Sequence, residues 1–507
     1  MASRRDELNA YTFAKRRLVA QFVQPNSTGS EEGAPRPLRA VVPGAIVGVV
    51  ILAVFGAWGM FKPVAPKDWD KPGQAVIIAD KSTTRYVVLK TGDKVQLHPV
   101  LNMSSAKLLL DPDKEKIITV AESVLDSGKI PHGATLGIPY APDRLPVPEQ
   151  AGAAKRWAVC ERPGEGGRAI QKAAFVLAAR EEAKTDGPER LTGGELLYVE
   201  GPDRTRYVVD AVGTAYQVEK DELLLRQLVG QGRAAQRVSE AWLNTLHKGD
   251  AISFPRIPGQ PGATADVSGL PPEVRKVGMV LSATDGTRKQ MYVVLQDRVA
   301  PVTDFTAKLL LNSRQLVDLG QAGQATKASG GAFQPGAAFG QDKKWPEAVP
   351  VPVNEAGTGE GSRNTVCNVL RAVDEDNGAT TLSTWAGKDF PATLPTGSSS
   401  AYVTPGSGQL FRQFKGSTTS TGFLFLVTDT GLRYAMQSNG DLATDDSGIG
   451  RSGSEEEKQA RQAEAQQAQN RLGYKSIEPL PIPAEWSTFL PTGPRLSTGG
   501  ARQPQGS

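Results

Sequence analysis

The chain has 507 residues, of which 58 are Lys or Arg and 54 are Asp or Glu, so its formal net charge is only +4. This small surplus is spread along the chain, which argues against the clustered basic face of a nucleic-acid-binding protein. The length allows several domains, and 54 glycines and 36 prolines beside few aromatic residues favour short strands joined by turns.

The first predicted element is a basic amphipathic helix at residues 3–24. Ser3 and Asp6 form a possible capping box at its start. Its apolar positions fall on one stripe: Leu8, Tyr11, Leu18 and Phe22. Basic residues surround the stripe: Arg4, Arg5, Lys15, Arg16 and Arg17. Such a helix can lie on anionic lipid or dock on a cytoplasmic partner, and we favour docking over a purely topogenic role for the charge.

A single membrane span is predicted next. After a linker rich in Pro, Gly, Ser and Glu at residues 25–39, residues 41–61 form an uncharged apolar run. At about 1.5 Å per residue, a helix of this length spans roughly 31 Å, which matches the hydrocarbon core of a bilayer. Gly44 and Gly48 form a GxxxG pattern that permits close packing of a partner helix.

The flanking charge predicts the orientation of the span. Lys and Arg outnumber acids in the first 40 residues, which favours a cytoplasmic head and an exported C-terminal part. A cleaved signal peptide is the alternative. The run is too long for one, begins too far into the chain and lacks a small-x-small cleavage site.

The two cysteines, Cys160 and Cys367, both lie in the predicted exported part. An even number of cysteines in an oxidising compartment favours one disulfide, and two buried free thiols are the alternative. The chain has three histidines, His98, His132 and His247, which lack the spacing of metal ligands. No metal site is therefore predicted.

The exported part contains four copies of a ββα pattern, which predicts an α+β fold. Each copy begins with a β-branched strand, passes a turn and a second short strand, and enters a Leu-rich helix. The first strands begin at Tyr86, Tyr207, Tyr292 and Phe425, and the leucines at Leu108, Leu223, Leu309 and, in a weaker copy, Leu442. The back halves recur too: Leu125, Gly133 and Pro139 match Leu243, Gly249 and Pro255. A unit of this size cannot bury its apolar face alone, so the units must pack on a shared surface.

Segments of another character separate the repeats. Residues 155–180 and 364–390 each hold one cysteine in a strand-like run, so pairing of the cysteines would join them into one central domain. Residues 318–362 are rich in Gly, Ala, Gln and Pro and are predicted to be flexible. Residues 454–472 are predicted to form a polar helix, with Ser454 and Glu457 as its capping box. The tail beyond about residue 497 is predicted to be disordered.

No catalytic constellation is evident. The sequence has no GxxxxGK(S/T) phosphate loop, no HExxH and no GxSxG. Residues 448–453 match GxGxxG by letter but follow a polar stretch, so we interpret them as a plain loop. Asp111, Asp113 and Glu115 are interpreted as a solvated turn, and His98 and His132 as structural residues. No catalytic, cofactor-binding or metal-binding residue is predicted, and no cofactor.

The order of these parts resembles the EccB family, a membrane component of the actinobacterial type VII (ESX) secretion system. The resemblance begins with the basic head around Tyr11, Phe13, Arg16 and Arg17, and continues through the span, the Tyr-Val-Val repeats and the two cysteines. Residues 403–410, VTPGSGQL, are similar to that family's V-x-PG-x-G-x-L segment. Residues 481–491, PIPAEWSTFLP, are similar to its closing P-x-P-x-x-W-x-x-x-L-P stretch.

The resemblance implies a central domain with four repeat domains in a stretched, propeller-like arrangement with a pseudo-two-fold axis, and a disulfide between Cys160 and Cys367. It also implies a single-pass protein of the plasma membrane that acts as a scaffold beside an FtsK/SpoIIIE-type ATPase (EccC), EccD and EccE and that self-associates. The head residues Tyr11, Phe13, Arg16 and Arg17 would dock in the cytoplasm. Nucleotide hydrolysis outside the cytoplasm and peptidoglycan binding are the alternative functions, and the missing phosphate loop weighs against the first.

The predicted domain boundaries follow the repeats. They are a head and linker at 1–40, the span at 41–61, the first repeat at 62–148, a central domain from 149–195 and 355–400, the second repeat at 196–262, the third at 263–317, a flexible insertion at 318–354, the fourth repeat at 401–497 and a disordered tail at 498–507.

Overall fold

The structure is a computed structural model that describes residues 3–23, 38–60, 65–111, 114, 116–164, 169–286, 288–356, 362–395, 400–436 and 455–505. The chain divides into two compact units, Met1–Lys67 and Asp68–Ser507. Several predicted features lie outside the described residues: most of the linker at 25–39, Phe61, Asp113, Glu115, Leu442, the loop at 448–453 and Ser454.

The unit Met1–Lys67 contains two helices, α1 (Arg4–Val23) and α2 (Leu38–Met60). The capping box at the start of α1 forms, because the Asp6 carboxylate accepts the Ser3 N–H at 3.3 Å and the Ser3 hydroxyl accepts the Arg5 N–H at 3.3 Å. The described apolar side chains of α2 are exposed, among them Ile51 and Leu52. In the part of the chain whose placement is described, no helix is both long enough and apolar enough to cross a membrane.

Four small sheets in the unit Asp68–Ser507 share one topology. Three antiparallel strands form a meander, a helix follows, and a fourth strand returns parallel to the first. The predicted ββα pattern is therefore too short, because it contains only the second and third strands and the helix. Several of the first and fourth strands carry little local signal: Ala75–Ala79 is a short apolar run without alternation, and Thr326–Lys327 has only two residues.

The elements of the first two repeats, in chain order, are as follows. The first repeat has β1 (Ala75–Ala79), β2 (Arg85–Thr91), β3 (Lys94–Val100), α3 (Met103–Leu109), β4 (Lys116–Val120) and α4 (Glu122–Leu125). There follow α5 (Pro148–Gly152), β5 (Arg156–Arg162), β6 (Gln171–Leu177) and a 3₁₀ helix, Ala179–Thr185. The second repeat has β7 (Glu195–Glu200), β8 (Arg206–Asp210), β9 (Thr214–Gln217), α6 (Glu222–Val229), β10 (Gln236–Arg237), α7 (Glu240–Leu243) and β11 (His247–Lys248).

The remaining elements complete the chain. The third repeat has β12 (Val280–Asp285), β13 (Arg288–Val294), β14 (Val299–Val302), α8 (Asp304–Leu311), β15 (Thr326–Lys327) and two 3₁₀ helices, Arg314–Leu319 and Gly330–Ala332. Then come β16 (Val351–Pro352), β17 (Thr365–Val373), β18 (Thr380–Gly387) and β19 (Ala401–Val403). The fourth repeat has β20 (Gly408–Phe414), β21 (Phe423–Thr428), β22 (Arg433–Ala435), α9 (Glu455–Arg471), β23 (Leu480–Pro483) and α10 (Ala484–Ser487), and α11 (Thr498–Ala501) follows.

The repeat helices begin where a capping side chain follows the third strand. Asn102, Asp221 and Thr303 each accept a backbone N–H from the first turn of α3, α6 and α8. Of the predicted leucines, Leu108 and Leu309 are at most 1% exposed, whereas Leu223 is half-buried and the next residue, Leu224, enters the core. The chain therefore turns from strand to helix because the cap satisfies the first free amides and the leucines supply the buried face.

In the first, second and fourth repeats, a glycine lies where a later segment returns to pair with the third strand. A β-carbon at Gly133, Gly249 or Gly493 would collide with the ring of His98, Tyr216 or Tyr434, respectively. These rings lie on β3, β9 and β22, beside the bridge that returns to that strand. The predicted equivalence of Gly133 and Gly249 thus has a physical cause, because only glycine lets the returning backbone lie against the ring.

The central sheet joins two segments that lie far apart in sequence. Its strand order is β18-β17-β5-β6-β19, and β5 pairs with β17 in antiparallel register. Cys160 and Cys367 stand directly opposite each other in this register and form a disulfide. The disulfide suggested by the sequence is confirmed.

Three of the core clusters in the described residues are shared between repeats or with the central sheet, whereas a fourth, from Ile257 to Phe333, belongs to the third repeat alone. One cluster combines residues of the first and fourth repeats, such as Val76 and Leu426. Another adds Phe305 of α8 to the second repeat. A third joins one face of the central sheet to the second and fourth repeats through Trp242 and Trp486. The expectation that the units must pack on a shared surface agrees with these clusters.

Two segments predicted to be flexible or disordered are ordered instead. In the predicted insertion at 318–354, Phe333 packs on Tyr292 with ring centroids 5.1 Å apart, and Asn354 hydrogen-bonds both backbone groups of Tyr198. In the predicted tail, Ala501 is fully buried in the core of the first and fourth repeats. The prediction from composition was wrong here, because a few buried side chains order a segment even when most of its residues are polar or small.

Loss of the disulfide is expected to destabilise the unit Asp68–Ser507. The bond closes a loop across 207 residues of sequence separation, for which the chain-entropy model gives about 5 kcal/mol as an upper value. We expect the double variant Cys160→Ala, Cys367→Ala to have a free energy of unfolding lower than that of the wild type by up to this amount. Denaturant titration followed by tryptophan fluorescence measures the difference. Thiol counting on the unfolded wild-type protein without reductant should find no free thiol, and two free thiols would contradict the disulfide.

Candidate interaction sites

The three histidines of the chain lie in separate structural contacts. Among the described residues, no group of three or more His, Cys, Asp or Glu side chains could hold a metal ion. His98 is engaged with the Ala134 carbonyl at 2.8 Å and the Thr91 hydroxyl at 3.2 Å, and His247 with the Thr380 hydroxyl at 2.8 Å. His132 stacks edge-on against Tyr86. These contacts are those of structural histidines.

A shallow depression of about 620 Å³ lies at the end of the β5–β6 hairpin. Its Arg162 guanidinium lies 4.5 Å from the centre of the Phe390 ring and 3.9 Å from the Asp389 carboxylate, and it donates to the Gln171 side-chain oxygen at 2.6 Å. This arrangement holds the loop against the sheet and provides no nucleophile with an adjacent base.

The predicted docking residues of the head are exposed, but they do not share one face of α1. At about 100° per residue, Phe13, Arg16 and Arg17 lie on one side, whereas Tyr11 lies on the opposite side, with Leu8, Leu18 and Phe22. Tyr11 is 69% exposed and Phe13 57%. The helix therefore presents an aromatic and aliphatic face, which also carries Arg4 and Lys15, and an opposite face with Phe13, Asp6 and three arginines.

The predicted packing pair, Gly44 and Gly48, lies on α2 with open space around it. A β-carbon added at either glycine would meet no atom of this chain within 4 Å. The pattern therefore serves no contact within the described part of the chain.

The junction between the central sheet and the repeats is the site that sequence reasoning missed. The VTPGSGQL segment leads from β19 into β20, and its Gln409 side chain accepts the Trp157 indole N–H at 2.8 Å. In the same core, the Trp242 indole donates to the Val159 carbonyl at 3.1 Å. Trp486, in the PIPAEW segment, is 2% exposed in the same cluster. Two of the segments that carry the family resemblance, residues 403–410 and 481–491, thus lie where the fourth repeat meets the central sheet.

Glu161 is a buried carboxylate at this junction. It is fully buried, and it accepts hydrogen bonds from the backbone N–H of Ser239 at 2.7 Å and from the Ser239 hydroxyl. Ser239 is the N-cap of α7, and the Lys172 ammonium lies 3.8 Å from the carboxylate. Burial raises the pKa of Glu161, while the hydrogen bonds from Ser239 and the charge of Lys172 oppose this shift. Alternation along β5 could have placed Glu161 beside Trp157 and Val159, but only the fold supplies Ser239.

Comparison with known proteins identifies relatives of this architecture. The family model described as "Type VII secretion system ESX-1, transport TM domain B" matches residues 1–506. A protein of Mycolicibacterium smegmatis named "ESX-3 secretion system ATPase EccB3" is 26% identical over 98% of this chain and 90% of its own length. A Mycobacterium tuberculosis protein named "ESX-1 secretion system ATPase EccB1" is 29% identical over 60% of each chain.

Solved structures share the fold. A chain of an intact ESX-5 inner membrane complex matches 100% of this chain and 96% of its own length, with a TM-score of 0.57 and 18% identity. A chain from the structure of the EccB3 dimer of the ESX-3 core complex matches 85% of this chain and 100% of its own length, with a TM-score of 0.56 and 24% identity.

The buried Glu161 predicts a specific pH dependence. Its pKa in the fold lies above the ordinary value of 4.5, so the folded protein holds a proton that the unfolded chain releases as the pH rises past that value. The contribution of Glu161 to stability is therefore complete at low pH and falls as the pH rises through the raised pKa. We expect the free energy of unfolding of the wild type to decline relative to Glu161→Gln over this range.

The matched control is Glu240→Gln, which removes one negative charge from an exposed position on α7. Urea titrations of the three proteins from pH 4 to pH 8 measure the effect. Parallel pH profiles for the wild type and Glu161→Gln would contradict the assignment.

Proposed function

The chain belongs to the EccB family of type VII (ESX) secretion proteins, and on that premise we propose that it is a structural subunit of a secretion complex in the inner membrane. The match of the family model to residues 1–506 carries this proposal and confirms the resemblance drawn from the sequence. The shared cores support a scaffolding role, because each repeat is held by another repeat or by the central sheet.

We further propose that residues 41–61 cross the inner membrane once, with the head in the cytoplasm and the repeats outside. The uncharged run and the basic residues before it support this topology. The words "transport TM domain B" in the description of the family agree with it. The disulfide agrees as well, because such bonds persist in oxidising compartments.

The head and the GxxxG pattern are the proposed cytoplasmic and membrane contacts. Phe13, Arg16 and Arg17 would meet an acidic partner surface, and Tyr11, on the other face of α1, would meet an apolar one. Gly44 and Gly48 would allow a partner helix to approach α2 closely. The proposed partners are the other subunits of the complex, EccC, EccD and EccE, and a second copy of this chain. A relative of this chain was solved as a dimer, and another within an intact complex.

Nucleotide hydrolysis is the second candidate, because the relatives are named ATPases. The sequence lacks the phosphate loop that such an activity would use. ATP turnover by the purified full chain that a single substitution abolishes would support it. Binding to peptidoglycan remains a further alternative, which sedimentation with purified wall material would test.

The secretion function predicts a specific set of co-purifying proteins. We expect the tagged full-length chain, extracted from native membranes in mild detergent, to bring down an FtsK-type ATPase and a polytopic membrane protein, identified by mass spectrometry. Recovery of the chain alone or with wall enzymes would contradict the proposal.

Reversing the charge of the head is expected to weaken assembly more than membrane insertion. Arg16→Glu with Arg17→Glu turns the basic face of α1 acidic, which should reduce co-purification of the partners several-fold because the acidic surface would be repelled. The matched control is Arg4→Glu with Arg5→Glu, which makes the same charge change at the start of the helix. Equal recovery of the partners from the wild type and the Arg16/Arg17 variant would show that this face does not dock.

A further inference from the structure

The first repeat differs from the other three in the outer edge of its fourth strand. In the second and third repeats this strand is only two residues long, β10 and β15, and in the fourth repeat β23 carries Pro481 and Pro483. Short edge strands and prolines are the devices that keep a sheet edge from pairing with another chain. β4 has neither, because its five residues, KIITV, are mostly β-branched and contain no proline.

The outer edge of β4 is open. β4 is the end strand of its sheet and pairs only with β1, and no other backbone group in the described residues bonds to it. The Val120 carbonyl accepts the Asp80 N–H on the β1 side. Because backbone direction alternates along a strand, Ile118 also faces β1, and the N–H and C=O groups of Ile117 and Thr119 point outward. Ile117 is 49% exposed.

We propose that β4 is an interface between two copies of this chain, paired antiparallel about Ile118. In this register Ile117 faces Thr119 of the second copy, and each such pair exchanges both of its outward hydrogen bonds. Odd-numbered residues then face odd-numbered ones and even face even, so each face of the sheet continues across the pair. Ile118 lies opposite Ile118 of the second copy. The strand is thus complementary to itself, as a two-fold contact requires.

The charges near the strand fit the same register. Within the strand, Lys116 of one copy lies opposite Val120 of the other. Lysines on an edge strand usually discourage pairing. Here Lys116 does not meet a lysine across the two-fold axis, whereas in a parallel in-register pair it would face Lys116 of the second copy, so it favours the antiparallel register.

The strand pair is small, and this determines where it forms. Five residues extend about 17 Å, a contact that buries less than the about 1,200 Å² of a standard stable interface. Pairing therefore depends on confinement of two chains in one membrane, which raises their effective concentration. In this respect the inference rests on the proposed membrane-bound function.

Cysteine cross-linking in membranes tests the interface. Cys160 and Cys367 are paired, so Ile118→Cys supplies the one free thiol of the full-length chain. Ile118 would face its copy at a non-hydrogen-bonded position, where a disulfide can bridge antiparallel strands. Mild oxidation should yield a covalent dimer on a non-reducing gel, several-fold more than Val95→Cys, a control on β3 at the opposite edge of the same sheet.

A proline separates strand pairing from mere proximity. Thr119→Pro removes an outward N–H but no bond to β1, so it should reduce the Ile118→Cys dimer several-fold, whereas Thr119→Val, which keeps the N–H, should not. Thermal unfolding of the Thr119→Pro chain checks that its fold is retained. Equal cross-linking of Ile118→Cys and Val95→Cys, or a cross-link to a different protein, would overturn the inference. If the cross-link fails but partner subunits still co-purify with the wild type, the β4 interface is wrong and the proposed function stands. If no partner subunits co-purify with the wild type, the proposed function itself is refuted.

Discussion

The register between β5 and β17 is the constraint on which the unit Asp68–Ser507 depends. These strands are separated by two whole repeats, and their pairing places Cys160 opposite Cys367, where the disulfide joins them. Pairing at such a separation costs loop-closure entropy, which the disulfide reduces by restricting the unfolded chain. Because the two buried faces of a strand alternate, this register also directs Trp157 and Val159 toward one core and Cys160 toward the other.

Two repeats contact the central sheet directly, and each of them also packs against one of the other two repeats. The fourth repeat contacts the sheet through Gln409, Phe411 and Trp486 and shares its other core with the first repeat. The second repeat contacts the sheet through Trp242 and shares a core with α8 of the third repeat. Sharing cores enlarges the apolar area that these small repeats bury and so adds to their stability.

The carboxylate of Glu161 shows how the same junction uses polar groups. A buried charge is costly unless it is paired and hydrogen-bonded, and here the N-cap serine of α7 and the ammonium of Lys172 provide the partners. The helix end in turn needs an acceptor for its free amides. The central sheet and the second repeat are therefore joined by hydrogen bonds as well as by a shared apolar core.

The sequence by itself determined the local elements and the family. The Tyr-Val-Val segments became buried middle strands, the leucines after Asn102, Asp221 and Thr303 became capped helices, and the order of motifs identified the EccB family. These features depend on residues close together in the chain. Only the tertiary structure decided which strands pair, because β4 and β15 gain their partners from strands far away in sequence. The burial of Phe333 and Ala501 likewise depends on the tertiary structure, because their contacts are with residues distant in sequence.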